Sequence, residues 1–495
     1  MTQTKIWWGV AGLCLAAFLA AGLFAARINQ HLPHSEDEAA YLFQAQVFAQ
    51  NRLTVPTPPL ADAFWSPFVV DYRGQRFGKY PPGWPLLLST AVRVGQPWLA
   101  NALLGGAALA LMAGLAHLFY CPAESVCPLP LLAAALTLVT PAFLFQSGSL
   151  LSHPASLVWM MLALASLAGV GKRPAAAVLT GASLGAAFLT RPVSALAVGV
   201  VVVVFLLALI LRGETRPRAL GWLALGGLPV AALLPLFAWR VGGSPLFNAY
   251  TLVWPYDRLG FGPDIGPQGY SLHAAIFVNT RLKLSMLAGG LFGWPGWSNL
   301  IFLPVPFLAR RANRWDWLLL AVIAAIVGVH IFYWAFGGAD GGLPRYYYAA
   351  LPAFVLLTAR GIVMVSQILG EWRPALRLLP PALVALLVLF NLMWNLPPLV
   401  MAQQGKYNIT PAPLETVTQA NLPEPALVLV QNVQSWSDFA APFAANRPTL
   451  DGPVLYAIAW NPELARQLQR HYANRHCRQL DGAKLTPCPS VEAAQ

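Results

Sequence analysis

Three carboxylates stand in a row at Glu36-Asp37-Glu38, behind His34-Ser35 and ahead of a mostly apolar run at 39–49. An ionised carboxylate fixed at a water–lipid boundary is suited to take a proton from an incoming hydroxyl. A helix start would hold it there, because free amides and the end dipole favour negative charge. An acidic pair in an outer loop is more often simply solvated, so its neighbours decide. Tyr41, Ala45, Val47 and Phe48 can share one face of a helix lying on the membrane interface.

Basic groups recur in comparable places. Lys79 precedes Tyr80-Pro81-Pro82-Gly83, and it either holds the next helix at headgroup level or binds a lipid phosphate. His153 before Pro154, Arg191 in Thr190-Arg191-Pro192 and Arg345 in Pro344-Arg345-Tyr346 fall at the ends of apolar runs, where a cation costs little. Together they offer several donors to one anion, and a guanidinium fork matches phosphate geometry. Asp257-Arg258 and Asp340 are partners for these cations or plain loop charges, with the plain reading slightly favoured. One histidine and two carboxylates leave a divalent cation open as a cofactor without arguing for it. No Gly-rich phosphate loop, C-x-x-C or H-E-x-x-H occurs, so nucleotide hydrolysis and a tetrahedral zinc site are poor fits.

The elements that carry these groups belong to a membrane protein: 57% of the residues are apolar and only 10% charged. The net charge of +12 would suggest nucleic acid in a soluble protein, but the arginines cluster in short loops between apolar runs, where they set orientation. Nucleic acid is therefore excluded as a partner, and membrane lipids take its place. Runs of spanning character lie at 6–26, 98–120, 130–145, 154–170, 175–189, 193–211, 219–239, 287–308, 317–334, 346–365 and 378–396, about eleven in all. The piece at 78–95 is short and proline-rich, and reads as an interfacial helix. With it on the interface, Lys172-Arg173, Arg212 with Arg216 and Arg218, Arg310-Arg311 with Arg314, and Arg373 with Arg377 all fall in the cytoplasm, as the positive-inside bias requires. The outer face of the cytoplasmic membrane then receives loops 27–97, 147–153, 190–192, 242–284 and 336–345, and everything after 397.

The chain changes character near 398. Runs at 426–431 and 454–458 read as buried strands and 462–472 as an amphipathic helix. The expected fold is an all-α polytopic bundle at 1–398, with interfacial helices in its first outer loop, followed by a small extracytoplasmic α/β domain at 399–495. Among the cysteines, Cys121 with Cys127 and Cys477 with Cys488 are the pairs to follow; the second pair, in an oxidising compartment, is bonded or free with nearly equal expectation.

Read in order, Asp37-Glu38-x-x-Tyr41, Lys79-Tyr80-Pro81-Pro82-Gly83, Leu151-Ser152-His153-Pro154, Thr190-Arg191-Pro192, Gly243-Ser244-Pro245 with Asn248, and Pro344-Arg345-Tyr346 resemble the C-type glycosyltransferase superfamily. The bacterial branch similar to protein O-mannosyltransferases and lipid A aminoarabinose transferases is nearest. The likeness covers almost the whole chain, including Leu450-Asp451-Gly452-Pro453. It implies Asp37 as catalytic base or acceptor-positioning group with Glu38 beside it, and Lys79, Arg345 and Arg191 on a lipid phosphate. His153, Tyr41, Tyr346 and Asp257 are further candidate substrate or metal contacts. Two departures stand out: Tyr80 separates Lys79 from the prolines, and His153 stands where some relatives carry an acid.

The resemblance implies inverting transfer of a sugar from a polyprenyl-phosphate-linked donor to the hydroxyl of a glycan, lipid or protein, with no nucleotide at the site. Two rivals remain. One is a transporter or flippase of lipid-linked saccharide, disfavoured by the lack of midplane charges and internal repeats. The other is a ligase or polymerase using diphosphate-linked donors.

Overall fold

The computed structural model describes residues 2–122 and 126–489. Among these, seven helical segments are long and apolar enough to cross a membrane, or eight if one bent pair counts as a span, against the eleven or so expected, with His153–Leu167 and Pro174–Thr190 shorter; the chain is a multi-pass membrane protein. The first is α1, Gln3–Arg27. A long loop then carries α2 (Glu36–Ala49), a three-stranded antiparallel sheet in the order β1-β3-β2 (β1 Val55–Pro56, β2 Val69–Tyr72, β3 Gln75–Gly78) and α3 (Gly83–Arg93). The bundle continues through α4 (Leu99–Tyr120), α5 (Leu129–Leu138), α6 (Pro141–Ser147), α7 (His153–Leu167), α8 (Pro174–Thr190) and α9 (Pro192–Leu211). Arg218–Gly242, Arg314–Phe332, Arg345–Trp372 and Pro374–Asn408 supply the later long segments. Arg314 meets Glu214 at 2.6 Å and Arg311 meets Glu371 at 3.7 Å, so the arginine-bearing loops gather at the end of the bundle opposite α2 and α3.

Three expectations change. The run at 130–145 is two helices, α5 and α6, bent by 69°. Pro141 follows the break, and the side chain of Asn391 donates to the carbonyl of Val139 at 2.7 Å. The run at 287–308 is no single span. The helix Arg281–Gly290 ends in Gly-Leu-Phe-Gly-Trp-Pro-Gly, where buried Asn299 takes over the ladder, accepting from the amides of Phe292 and Trp294 and donating to the carbonyl of Ala288.

The third change concerns α2, which does not lie on the interface with one greasy face. Tyr41, Leu42, Phe43, Val47 and Phe48 are all buried, because a helix that is apolar nearly all round has no face to give to water. One side packs on Tyr80, Trp84 and Leu88 beside α3. The other side, through Phe43 and Val47, enters the core of the C-terminal segment.

That segment holds a four-stranded sheet in the order β5-β4-β6-β7 (β4 Ala426–Val430, β5 Val454–Ile458, β6 His476–Asp481, β7 Lys484–Pro487). β4 is central, runs parallel to β5 and β6, and is buried along its whole length, as its unbroken apolar sequence requires. β6 and β7 escaped the sequence reading because His-Cys-Arg-Gln-Leu-Asp and Lys-Leu-Thr-Pro hold too few apolar residues for a buried run and show no sustained alternation. The amphipathic helix forms at Pro462–His471. Cys121 is bonded to Cys127 and Cys477 to Cys488. Residues 490–495 of the expected C-terminal domain lie outside the described residues.

Glycines set the closest helix contact. Gly181 and Gly185 on α8 face Gly226 and Gly227 on the helix Arg218–Ala231. A Cβ at Gly181 would overlap the carbonyl of Leu223, and one at Gly226 that of Val178. Small residues four apart allow two backbones to touch where apolar lipid offers no driving force of its own. Gly181→Val therefore forces the pair apart at a cost of about 1–3 kcal/mol. Lower thermal stability of the purified variant than of Gly199→Val, a position with open space around it, checks this.

Candidate active site

At the loop end of the bundle a cavity of about 540 Å³ is lined by Asp37, Tyr41, Lys79, His153, Arg191, Asp257, Arg345 and Tyr346 among others. Eight of the nine candidate residues thus meet in one place, although they are spread over 310 positions of sequence between Asp37 and Tyr346. The ninth, Glu38, is a correction.

Ser35 caps α2, its hydroxyl accepting from the amide of Glu38 at 3.3 Å. The Glu38 carboxylate accepts from the amide of His34 at 2.8 Å, the amide of Leu150 at 2.7 Å and the hydroxyl of Ser35 at 3.1 Å. It is 3% exposed and pins the helix start to the turn before α7. A carboxylate satisfied three times by the frame has a structural task, and it leaves Glu36 and Asp37 as the members of the acidic run that line the cavity.

Asp37 sits in the first turn of α2, and its Oδ2 lies 3.0 Å from Nη1 of Arg345, each side chain being 18% exposed. The Tyr80 hydroxyl donates to its other oxygen. Burial pulls the Asp37 carboxyl upward, but Arg345, the Tyr80 hydrogen bond and the more distant Lys79 and Arg191 outweigh it and hold the group below the usual carboxylate range. Tyr80, which separates Lys79 from the prolines, is therefore the second group on Asp37. Its ring packs on Tyr41 at 4.5 Å.

Lys79 is 4% exposed and enclosed by aromatic rings: its Nζ lies 3.6 Å from the centre of Phe68, 4.5 Å from Trp254, 5.0 Å from Tyr250 and 5.3 Å from Tyr80. Asp257 stands 3.8 Å away, itself held by Tyr333 at 3.1 Å and Trp334 at 3.2 Å. Burial brings Lys79 down to about 8, against the opposing pull of Asp257, Asp37 and Glu36. Asp257 is thus a buried counter-charge and no plain loop residue, and Asp340 too has a partner, Lys406 at 3.6 Å.

Arg191 joins α8 to α9 and donates to the Ser152 hydroxyl at 3.1 Å, which shares a hydrogen bond of 3.0 Å with Tyr41. Its guanidinium also lies 5.6 Å from the centre of the Tyr346 ring. Gly83 makes this arrangement possible, since a Cβ there would come 2.6 Å from the carbonyl oxygen of Leu189. Its absence lets the Lys79–Gly83 turn press against the Arg191 corner. Four cations (Lys79, Arg191, Arg258, Arg345) face three carboxylates (Glu36, Asp37, Asp257), so the cavity has room for one more negative charge.

Residues that the sequence reading did not single out include Phe68, Tyr250, Trp254, Tyr333, Trp334 and His330. For Tyr250, Trp254, Tyr333 and Trp334 the only signal was the density of aromatics in 243–284 and 333–346, and Phe68 and His330 gave none. Among the described residues no group of three or more His, Cys, Asp or Glu could hold a metal ion.

Known structures share this architecture. ArnT from Cupriavidus metallidurans bound to undecaprenyl phosphate aligns with 97% of this chain and 90% of its own, at a TM-score of 0.56 and 16% identity. Its apo form aligns with 95% and 89%, at 0.52 and 16%. The chain has the fold of the C-type glycosyltransferases. An Archaeoglobus fulgidus oligosaccharyltransferase tethered to an acceptor peptide shares that fold at a TM-score of 0.51 and 14% identity, over 92% of this chain and 64% of its own. No protein-family model and no curated protein matches by sequence.

The lowered Asp37 value has a consequence for stability. A carboxyl whose folded-state pKa lies below its unfolded value of about 3.9 contributes stability that is complete above that value and is lost as pH falls through the folded one. Wild type is therefore expected to exceed Asp37→Asn in melting temperature by a constant margin between about pH 5 and 8, and the margin shrinks toward about pH 3. Melting curves of both proteins across that range check it; a margin that grows toward acid contradicts it.

Proposed function

We propose that this chain is an inverting glycosyltransferase that moves a sugar from a polyprenyl-phosphate-linked donor to an acceptor hydroxyl at the outer face of the cytoplasmic membrane. The observation that carries the reading is the contact of Asp37 with Arg345 at 3.0 Å. It sets a carboxylate that can receive a hydroxyl proton against a guanidinium that can receive a phosphate. Donor phosphate competes with Asp37 for Arg345, with Arg191 alongside and Lys79 keeping that wall positive. Asp37, released from one partner, accepts the hydrogen of the acceptor hydroxyl.

The acceptor oxygen then forms its bond to the anomeric carbon while the bond from that carbon to the phosphate oxygen breaks. The electron pair leaves with the lipid phosphate, and the proton passes to Asp37. A carboxylate held at low pKa is a weak base toward a resting alcohol, so the proton moves late, once the oxygen is already bonding and has become acidic. Arg345 and Arg191 meet the charge that grows on the departing phosphate.

Crystallisation of ArnT with undecaprenyl phosphate supports a lipid phosphate as the leaving group. The acceptor is a glycan, a lipid or a protein. Among the described residues no three His, Cys, Asp or Glu side chains converge on one point, so the residues do not form a set for a divalent ion and no step runs through one. The arginine-bearing loops at the opposite end support an N-terminus in the cytoplasm, with the cavity and the C-terminal segment outside. Residues 1–398 would form the transferase bundle and 399–495 an extracytoplasmic unit docked on α2.

Asp37→Asn should lower turnover about 10²–10⁴-fold while binding undecaprenyl phosphate at least as tightly as wild type, since Arg345 is then uncontested. Arg345→Met should lose both. Transfer assays with monophosphate- and diphosphate-linked donors, alongside lipid binding, check this. Unchanged turnover of Asp37→Asn removes the aspartate from the reaction, and preference for a diphosphate donor favours the ligase reading.

A further inference from the structure

Two histidines in the cavity wall have no task in the mechanism above. His330 is 3% exposed, and its Nδ1 lies 2.8 Å from the carbonyl oxygen of Ile326. A carbonyl only accepts, so Nδ1 carries the proton, and the neutral ring is left with a lone pair on Nε2, to which no protein group is hydrogen-bonded. The ring is stacked on Tyr346 at 5.2 Å, which fixes its plane. His153, 5% exposed, stands edge-on to Tyr348 at 6.3 Å, and neither of its ring nitrogens has a partner. Buried polar groups in folded proteins are nearly all hydrogen-bonded, so two cavity-lining imidazoles with unpartnered nitrogens point to a ligand.

The type of atom they offer selects the part of the ligand. Other than the neighbouring imidazole, the charged groups acting on these rings are all cations: Arg191 and Arg345 on His153, Arg191 and Lys283 on His330. No carboxylate claims the Nε2 lone pair. The phosphodiester of a polyprenyl-phosphate-linked sugar has only acceptor oxygens and is repelled by such a nitrogen, whereas a sugar hydroxyl donates to it. The arginines and the His330 imidazole therefore divide the donor between them, while His153, whose neutral ring has one N–H and one lone pair and no protein partner for either, can both give and accept a hydrogen bond with a sugar hydroxyl.

We propose that His330 and His153 form the subsite that holds the hydroxyl groups of the transferred sugar, His330 accepting through Nε2. This rests on the transferase reading and names its specificity-determining residues. The test is binding of the full-length chain, in lipid nanodiscs, to undecaprenyl phosphate alone and to undecaprenyl phosphate carrying glucose, mannose, galactose or arabinose. Wild type is expected to prefer one sugar-bearing lipid over the bare one. His330→Leu and His153→Leu should each lose about tenfold of that preference, the effect of one hydrogen bond left unmade in a buried site, with affinity for bare undecaprenyl phosphate unchanged. His330→Gln and His153→Gln, which keep an acceptor and a donor, should retain most of it.

A preference that survives both leucine variants overturns the subsite. So does an equal loss toward bare and sugar-bearing lipid, which would place the histidines on the phosphate or in the frame. Wild type binding none of these lipids overturns the transferase reading itself, and the two failures are thereby distinguished.

Discussion

A carboxylate and a guanidinium that are each four-fifths withdrawn from water cannot stand alone, and the pairing of Asp37 with Arg345 is the constraint on which the site is built. Taking either charge out of solvent is unfavourable unless the other is present, so the first turn of α2 and the start of Arg345–Trp372 must be delivered to one point. The frame shows how. Glu38 fixes the start of α2 through the amides of His34 and Leu150, Gly83 lets the loop after β3 approach α8, and Ser152 ties Arg191 to Tyr41. Apart from the local contact of Glu38 with His34, these contacts join segments far apart in sequence, and they end beside the same cavity.

The site also separates two kinds of positive charge. Arg345 and Arg191 are planar forks with hydrogen-bonding edges open to exchange, whereas Lys79 is sealed among four aromatic rings and faces Asp257. Exchange of partners is feasible for the first kind. The second acts more as a fixed potential in the wall, since removing it from its cage would expose Phe68 and Trp254 and leave Asp257 without a cation.

Much of the site was legible because membrane chemistry is sparse: in a chain with 10% charged residues, an ionisable group at the end of an apolar run is conspicuous. Asp37, Lys79, Arg191 and Arg345 were visible on that ground, and their order carried the family likeness. What escaped notice depends on three-dimensional partners. Glu38 and Asp37 are neighbours of the same type, and only the amides of His34 and Leu150 distinguish the anchor from the acid in the cavity. The burial of α2 was hidden because its apolar residues were expected to meet lipid, whereas they meet protein on both sides. His330 lies inside an apolar run and gave no sign until its neighbours were known. The run at 287–308 was taken for a span because hydropathy does not register what glycine, Pro295 and a buried asparagine do to a helix.

The shared core between α2 and the C-terminal sheet bears on biogenesis. Phe43 and Val47 pack with Val428, Tyr456, Ile458 and Leu480, and the Phe43 ring lies 5.9 Å from that of Phe443. The helix that presents Asp37 therefore lacks one side of its packing until more than four hundred further residues have left the ribosome and β6 has formed. Chains fold largely from the N-terminus during synthesis, yet here an early element waits for a late one. The cavity that Asp37 lines therefore gains the last of its support only at the end of synthesis, so its geometry is a property of the whole chain and of no shorter N-terminal part.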